Sequence, residues 1–382
     1  MKRFLILMTA ATLVAACSND ADEVESGYVP SNNAIAFDAS TDDELTTRAS
    51  GEINDNTALQ ATSIGVFGSY TGALKYENTT VSPDFMYNEK VTYESGKWTY
   101  RPVKYWPNDS REYVSFFAYA PYVENPQSNT EGIIDMSKLY DLGDPWVNYR
   151  IAENPWSTTS PQVDLLYGQQ ELTEGGNKTY TPWLDQQKPD DPVNDKLTFT
   201  FRHALACIGD EITIKCSQEL ADLIRGYATV KITNVTINYQ NLTTKGRLVL
   251  NSIGSANWKE IISGEITTTR TYTKDLTANS ITFDETNYTT AQTISTGDGL
   301  FYIPLRIAGT ETAKAEVTLT YTVTNNAGSD HTGTGTTSFD LNMSMEGQKQ
   351  GIALQLTENF DLQHLVYVIG TGANNPSYSP KR

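Results

Sequence analysis

The stretch Glu316-Val317-Thr318-Leu319-Thr320-Tyr321-Thr322-Val323-Thr324 decides the fold class of this chain. Successive side chains of an extended strand point to opposite faces, so Val317, Leu319, Tyr321 and Val323 share one face and the four threonines share the other. One face is then buried and one wet, as in a sandwich or a one-sided antiparallel sheet. The same period recurs outward from there. In residues 227–239, Val230 and Ile232 keep one phase and Val235, Ile237 and Tyr239 the other, which predicts a β-bulge between them. Residues 300–307 read as an apolar strand whose Pro304 places it at an edge or bulge. Residues 351–357 read as the last strand of that domain.

Towards the N-terminus the signals stay β. Ile64-Gly65-Val66-Phe67 is a short apolar strand, and residues 85–94 and 97–103 flank a compact turn at Ser95-Gly96. Residues 113–119 form an aromatic strand that Pro121 ends. Residues 124–195, rich in Pro, Asn, Asp and Gln, read as long loops or an insertion interrupted by one strand at 162–167. Residues 197–216 read as a hairpin turning at Gly209-Asp210. A short helix follows, capped by Ser217, with Leu220, Leu223 and Ile224 on one face and Gly226 at its end. It joins two β domains in series.

Of the three cysteines, Cys207 and Cys216 lie within the expected hairpin. There Cys207 faces Ile212 and Cys216 faces His203, roughly 13 Å apart along the ladder. Disulfide Cα atoms lie within about 7 Å, so two free thiols are expected. The formal charge is −18, which argues against a nucleic-acid partner, whose phosphates require stripes of Lys and Arg.

Catalysis finds little support. His203, His331 and His364 lie in separate segments without metal-ligand spacing, and His203 alternates with Phe201 and Leu205 as a buried or half-buried histidine does. Cys207 and His203, four positions apart on a strand, are roughly 13 Å apart and cannot share a proton. No G-x-S-x-G elbow, P-loop, dinucleotide-binding glycine pattern or H-E-x-x-H occurs. Asp190, Asp191 and Asp195 lack a calcium-loop pattern and read as a solvated loop. Trp146, Trp156 and Trp183 are expected to pack under loops, with a sugar-stacking platform as the alternative. The expectation is a non-enzyme without cofactor or metal.

The two ends carry the remaining information. Lys2 and Arg3 precede the mostly apolar residues 4–14, and Val14-Ala15-Ala16 leads into Cys17. This is the pattern of a secretory signal that ends on cysteine, read as a bacterial lipobox in which Cys17 is acylated, with a plain signal peptide and an incidental cysteine as the alternative. The apolar run is shorter than the roughly twenty residues of a spanning helix. Residues 18–33 read as an acidic, disordered spacer. Ala34-Ile35-Ala36-Phe37-Asp38 gives a short strand, and residues 41–50 a polar, exposed segment. Arg48 is the only Lys or Arg between Arg3 and Lys75; an isolated arginine in an exposed segment is an efficient site for an arginine-specific protease, and an ordinary surface arginine is the alternative that would normally be preferred. At the other end, residues 363–369 form a strong strand beyond a domain already closed, with Leu365, Tyr367 and Ile369 on one face and Val366 and Val368 on the other.

Several motifs occur in a telling order: the Cys17 lipobox, Ala34-Ile35-Ala36-Phe37, Thr47-Arg48-Ala49, Ile64-Gly65-Val66-Phe67, Trp98, Tyr105-Trp106-Pro107, and residues 114–121 (VSFFAYAP). Then come Asp164-Leu165-Leu166-Tyr167, Phe201-Arg202-His203-Ala204-Leu205-Ala206 and Phe301-Tyr302-Ile303-Pro304. In this order the chain resembles the fimbrillin family, the lipoprotein-derived (type V) pilins of Bacteroidales, over most of its length and best over 34–217. The resemblance implies an all-β fold: two tandem transthyretin-like β-sandwich domains with a C-terminal strand extension. It divides the chain into a signal peptide (1–17), a propeptide with a removable first strand (18–48), an N-terminal domain (49–217), a C-terminal domain (218–357) and a donor-strand tail (358–382).

It also implies a role. The precursor is held at the outer membrane by lipid on Cys17, an arginine-specific protease cuts between Arg48 and Ala49, and the first strand leaves. A terminal strand of another subunit, here Leu365, Val366, Tyr367, Val368 and Ile369, then fills the vacated groove by strand addition. The implied partners are other fimbrillin subunits in a head-to-tail homopolymer, the protease, the membrane before maturation, and a host glycan or protein as adhesion target. A tip or accessory adhesin using residues 124–195, and a non-polymerising glycan-binding surface lipoprotein, are the alternative readings.

Overall fold

The computed structural model describes residues 33–42, 53–77, 80–156, 162–261, 267–295, 299–343, 347, 349–366 and 379–380. Cys17, Arg48, Ala49, Tyr367, Val368 and Ile369 lie outside them. The described residues are almost entirely β, with two short α-helices, Asn56–Thr62 and Gln218–Ile224. The deciding stretch lies in strand Lys314–Asn325, where Ala315, Val317, Leu319 and Tyr321 are buried and Val323 half-buried. Its threonines face outward, and Thr318 and Thr322 meet Thr336 and Thr332 of the neighbouring strand at 3.0 and 3.2 Å. The expected bulge is present too. Strand Ala228–Thr243 shifts register against Lys314–Asn325 between Ile232 and Asn234, which lets both phases of apolar residues point inward.

The described residues form four sheets. The largest has nine strands, with the order Phe37–Thr41, Leu197–His203, Leu166–Glu174, Tyr113–Ala120, Ile64–Gly72, Met86–Glu94, Lys97–Thr99 along its main path. A six-stranded sheet orders Gln292–Ser295, Ala206–Cys216, Lys349–Leu356, Leu362–Val366 and Ser379–Pro380, with Leu300–Tyr302 also on Ala206–Cys216. A five-stranded sheet is built on Ala228–Thr243 and Lys314–Asn325, and a four-stranded one on Lys245–Val249 and Trp146–Arg150. The turn between Met86–Glu94 and Lys97–Thr99 is at Ser95-Gly96 as expected. Both residues have positive φ, 51° and 84°, as a two-residue hairpin demands.

Some expectations fail for identifiable reasons. Residues 197–216 are not a hairpin: the chain changes sheet between His203 and Ala206, so the two strands never pair. Gly209 (φ +81°) lies where Ala206–Cys216 shifts register against Lys349–Leu356, between Ile208 and Ile212, so this glycine serves a bulge. Cys207 and Cys216 are buried and form no disulfide, as expected, but because they lie nine residues apart on one strand. Burial pushes the Cys216 thiol up to about 12.

Residues 124–195 are not a loop region with one strand. They hold Gly132–Met136, Trp146–Arg150, Leu166–Glu174, Asn177–Thr181 and Trp183–Gln186. Trp146–Arg150 pairs with Lys245–Val249, nearly a hundred residues away, and so distant a partner leaves no local pattern. In the capped helix, Ser217 Oγ accepts from Leu220 N at 3.1 Å as expected, but Leu223 is 61% exposed and Ala221 takes its place inside. Ladders also run across residue 217, joining Trp146–Arg150 to Lys245–Val249 and Ala206–Cys216 to Lys349–Leu356.

Candidate functional site

The two chain ends enter sheets in different ways, and each leaves a recognisable seat. At the N-terminal end, strand Phe37–Thr41 runs parallel to Leu197–His203, with Phe37 opposite Leu197 and Thr41 opposite Phe201. It is an edge strand, and the other pairings of this sheet are antiparallel. Alternation puts Ile35, Phe37, Ala39 and Thr41 inward, at 2%, 2%, 7% and 6% exposure. The Phe37 ring meets Tyr100, Phe116 and Phe199 at 5.4, 5.6 and 5.9 Å between centroids. Burying two large side chains here contributes about 3–6 kcal/mol.

Side chains from remote segments fasten this strand's backbone. Tyr100 donates its hydroxyl to Ile35 O at 2.9 Å and Trp98 its indole N–H to Ala39 O at 3.2 Å. Ile35 N donates to Lys104 O, and Trp106 N to Asn33 O, both at 2.9 Å. Residues 98–106 therefore form a clasp along the far side of the strand.

Asp42, one residue past the strand, is held as well. Tyr180 donates its hydroxyl to the Asp42 carboxylate at 2.9 Å, Arg202 Nε lies 3.8 Å from it and Lys178 Nζ 4.0 Å. The Arg202 guanidinium stacks over the Tyr180 ring at 4.4 Å. Burial, then the hydrogen bond to Asp42, raises the Tyr180 phenol above its usual range, so it stays a donor. The sequence read Asp42 as part of an exposed polar stretch. Its only local signal was its place just after an alternating run.

A second anchor lies at Ile53. Asp164 Oδ2 accepts from Ile53 N at 3.1 Å and lies 2.7 Å from His203 Nδ1. The motifs at 164–167 and 201–206 are thus brought side by side: His203 pairs with Leu166 and Arg202 with Tyr167. His203 is buried, as expected, and serves architecture.

At the C-terminal end, strand Leu362–Val366 pairs antiparallel with Lys349–Leu356, setting Leu365 opposite Ala353 and Leu362 opposite Leu356. The six-stranded sheet is therefore not closed at residue 357, as expected, but continues into the tail. Leu362 and Leu365 are 5% and 3% exposed, and His364 stacks on Phe339 with 3.6 Å between ring centroids. The three tryptophans share no platform. Arg247 covers Trp146 at 3.7 Å, Trp156 packs on Tyr239 and Tyr272, and Trp183 packs against the core that holds Phe37.

Fold and site together define an all-β protein whose first described strand is an edge plug and whose last described strands extend a second sheet. A family model for fimbrillin-like proteins matches residues 47–362, and the chain belongs to the fimbrillin-like family. It is 32% identical over 165 residues to the fimbrium subunit Fim1C of Phocaeicola vulgatus, a match covering 42% of this chain and 41% of that protein. The fold is similar to the crystal structure of a fimbrial protein from Bacteroides vulgatus, with a TM-score of 0.64 and 21% identity over 91% of this chain and 99% of the other.

Proposed function

We propose that this chain is a structural pilin subunit of a cell-surface fimbrium that contributes to adhesion, and that it polymerises with other fimbrillin subunits, most simply copies of itself. It is exported as a lipoprotein precursor acylated at Cys17 and held at the outer membrane. An arginine-specific protease then cuts between Arg48 and Ala49, and the propeptide leaves with the first strand. The one observation that carries this reading is the seat of that strand. The strand is held by one ladder, by the clasp of residues 98–106 on its backbone and by a row of alternate pockets, and the backbone and apolar side chains of another chain's strand can supply what each of these binds. The similarity to a protein named as a fimbrium subunit supports the same reading. Residues 124–195 are built into sheets and their tryptophans are engaged, so a dedicated glycan platform finds no support there.

N-terminal sequencing of the protein taken from surface pili is the direct test. A start at Ala49 is expected, and a blocked, acylated Cys17 in assembled pili would overturn the scheme. Arg48→Ala should leave a lipidated monomer, and polymer ladders from that variant would count equally against it.

A further inference from the structure

Resting on the strand-exchange reading, we infer the register in which the tail of a second copy enters the groove. Leu365, Tyr367, Ile369 and Thr371 replace Ile35, Phe37, Ala39 and Thr41. The groove states its own requirements. It needs an aliphatic residue, an aromatic one two positions on, a residue of modest size at four and threonine at six. The aromatic position is the most demanding, because three rings surround Phe37 within 6 Å.

The tail, residues 358–382, offers three aromatics: Phe360, Tyr367 and Tyr378. With Phe360 in the aromatic pocket, Glu358 would occupy the Ile35 pocket as a buried, unpaired carboxylate. With Tyr378 there, Pro376 and Pro380 would fall at the flanking inward positions, and neither can donate to the ladder. Tyr367 alone brings Leu365 before it and Ile369 and Thr371 after it. The opposite face, Val366 and Val368, carries no aromatic at all. Leu365 is buried in its own sheet at 3% exposure and Leu362, on the opposite face, at 5%, so burial in cis does not choose the face and the aromatic position does.

Peptides spanning residues 361–374 test this without refolding any variant. Added to the chain matured at Arg48, the wild-type peptide should bind. Tyr367→Ser should weaken it at least about tenfold, given the cost of emptying an aromatic pocket. Val368→Ser, outward in this register, should change affinity by less than about threefold. The reverse order overturns the register, as do equal effects. Failure of the wild-type peptide to bind overturns the strand-exchange reading itself.

Cysteine pairing in the assembled polymer reads the register independently. Val368 would occupy the place of Asp38, which lies opposite the exposed Thr198. Thr198→Cys with Val368→Cys should therefore give covalent ladders on a non-reducing gel, because paired residues fall within disulfide reach. Thr198→Cys with Val366→Cys should not. Ladders from the second pair alone, or from neither pair in polymer that has formed, would reject the alignment.

Discussion

Asp42 gives the first strand something the tail lacks. Tyr180, Arg202 and Lys178 converge on its carboxylate, and the residue of the tail that aligns with it is Gly372. Residues 362–382 contain no Asp or Glu. Arg202 keeps other partners without Asp42, among them the carbonyl of Gly254. A strand without the carboxylate is therefore tolerated, while the native strand is held more firmly. Asp42→Asn keeps the shape and removes the charge, and should cost the precursor about 1–2 kcal/mol. Hydrogen exchange of the amides in residues 35–41 should accelerate in the variant, and unchanged protection would show that the cluster does not hold the strand. None of this was legible in the sequence. Asp42, Lys178, Tyr180 and Arg202 come from three distant segments. His203 was readable as buried from its alternation with Phe201 and Leu205, but its partner Asp164 belongs to another strand's approach.

At the scale of elements, alternation was readable and partnership was not. The strand 316–324, the bulge after Ile232, the turn at Ser95-Gly96 and the cap at Ser217 all follow from local residue order. The false hairpin at 197–216 arose because two apolar strands joined by a short link look alike whether they pair or change sheet. Four of the five strands of 124–195 are only four or five residues long, and the ladders that fix Trp146–Arg150, Leu166–Glu174 and Trp183–Gln186 in their sheets run to Lys245–Val249, Leu197–His203 and Tyr113–Ala120, outside the region. The tail strand shows the same limit: its apolar character was plain, its cis partner Lys349–Leu356 was not. That partner makes Leu365 a structural residue as well as the first contact of the inferred donor face. Leu365→Ala should lower the stability of the monomer by about 2–4 kcal/mol in urea unfolding. A stability loss near zero would mean that the buried Leu365 contributes nothing to the cis sheet.

For the whole molecule, the proposed cut at Arg48 would change stability as much as length. It would remove three basic and eight acidic residues, leaving a formal charge of −13 where the chain began at −18. With the first strand gone, Ile35, Phe37, Ala39 and Thr41 would leave the core and one edge of Leu197–His203 would be bared. The lost apolar burial alone is about 3–6 kcal/mol. An unpaired strand edge beside an aromatic groove is a strong template for another strand. The uncut precursor should therefore melt above the matured monomer by on the order of 5–10 °C in calorimetry. Polymer should recover that difference, because the incoming strand restores both the ladder and the pocket contents. The order precursor, monomer, polymer separates two roles for the first strand. If the matured monomer melts as high as the precursor, the strand is a passive cover and strand exchange loses its driving force. If it melts lower and polymer restores it, the energy for assembly comes from burial that the precursor already satisfies within itself, and proteolysis is what makes that energy available between subunits.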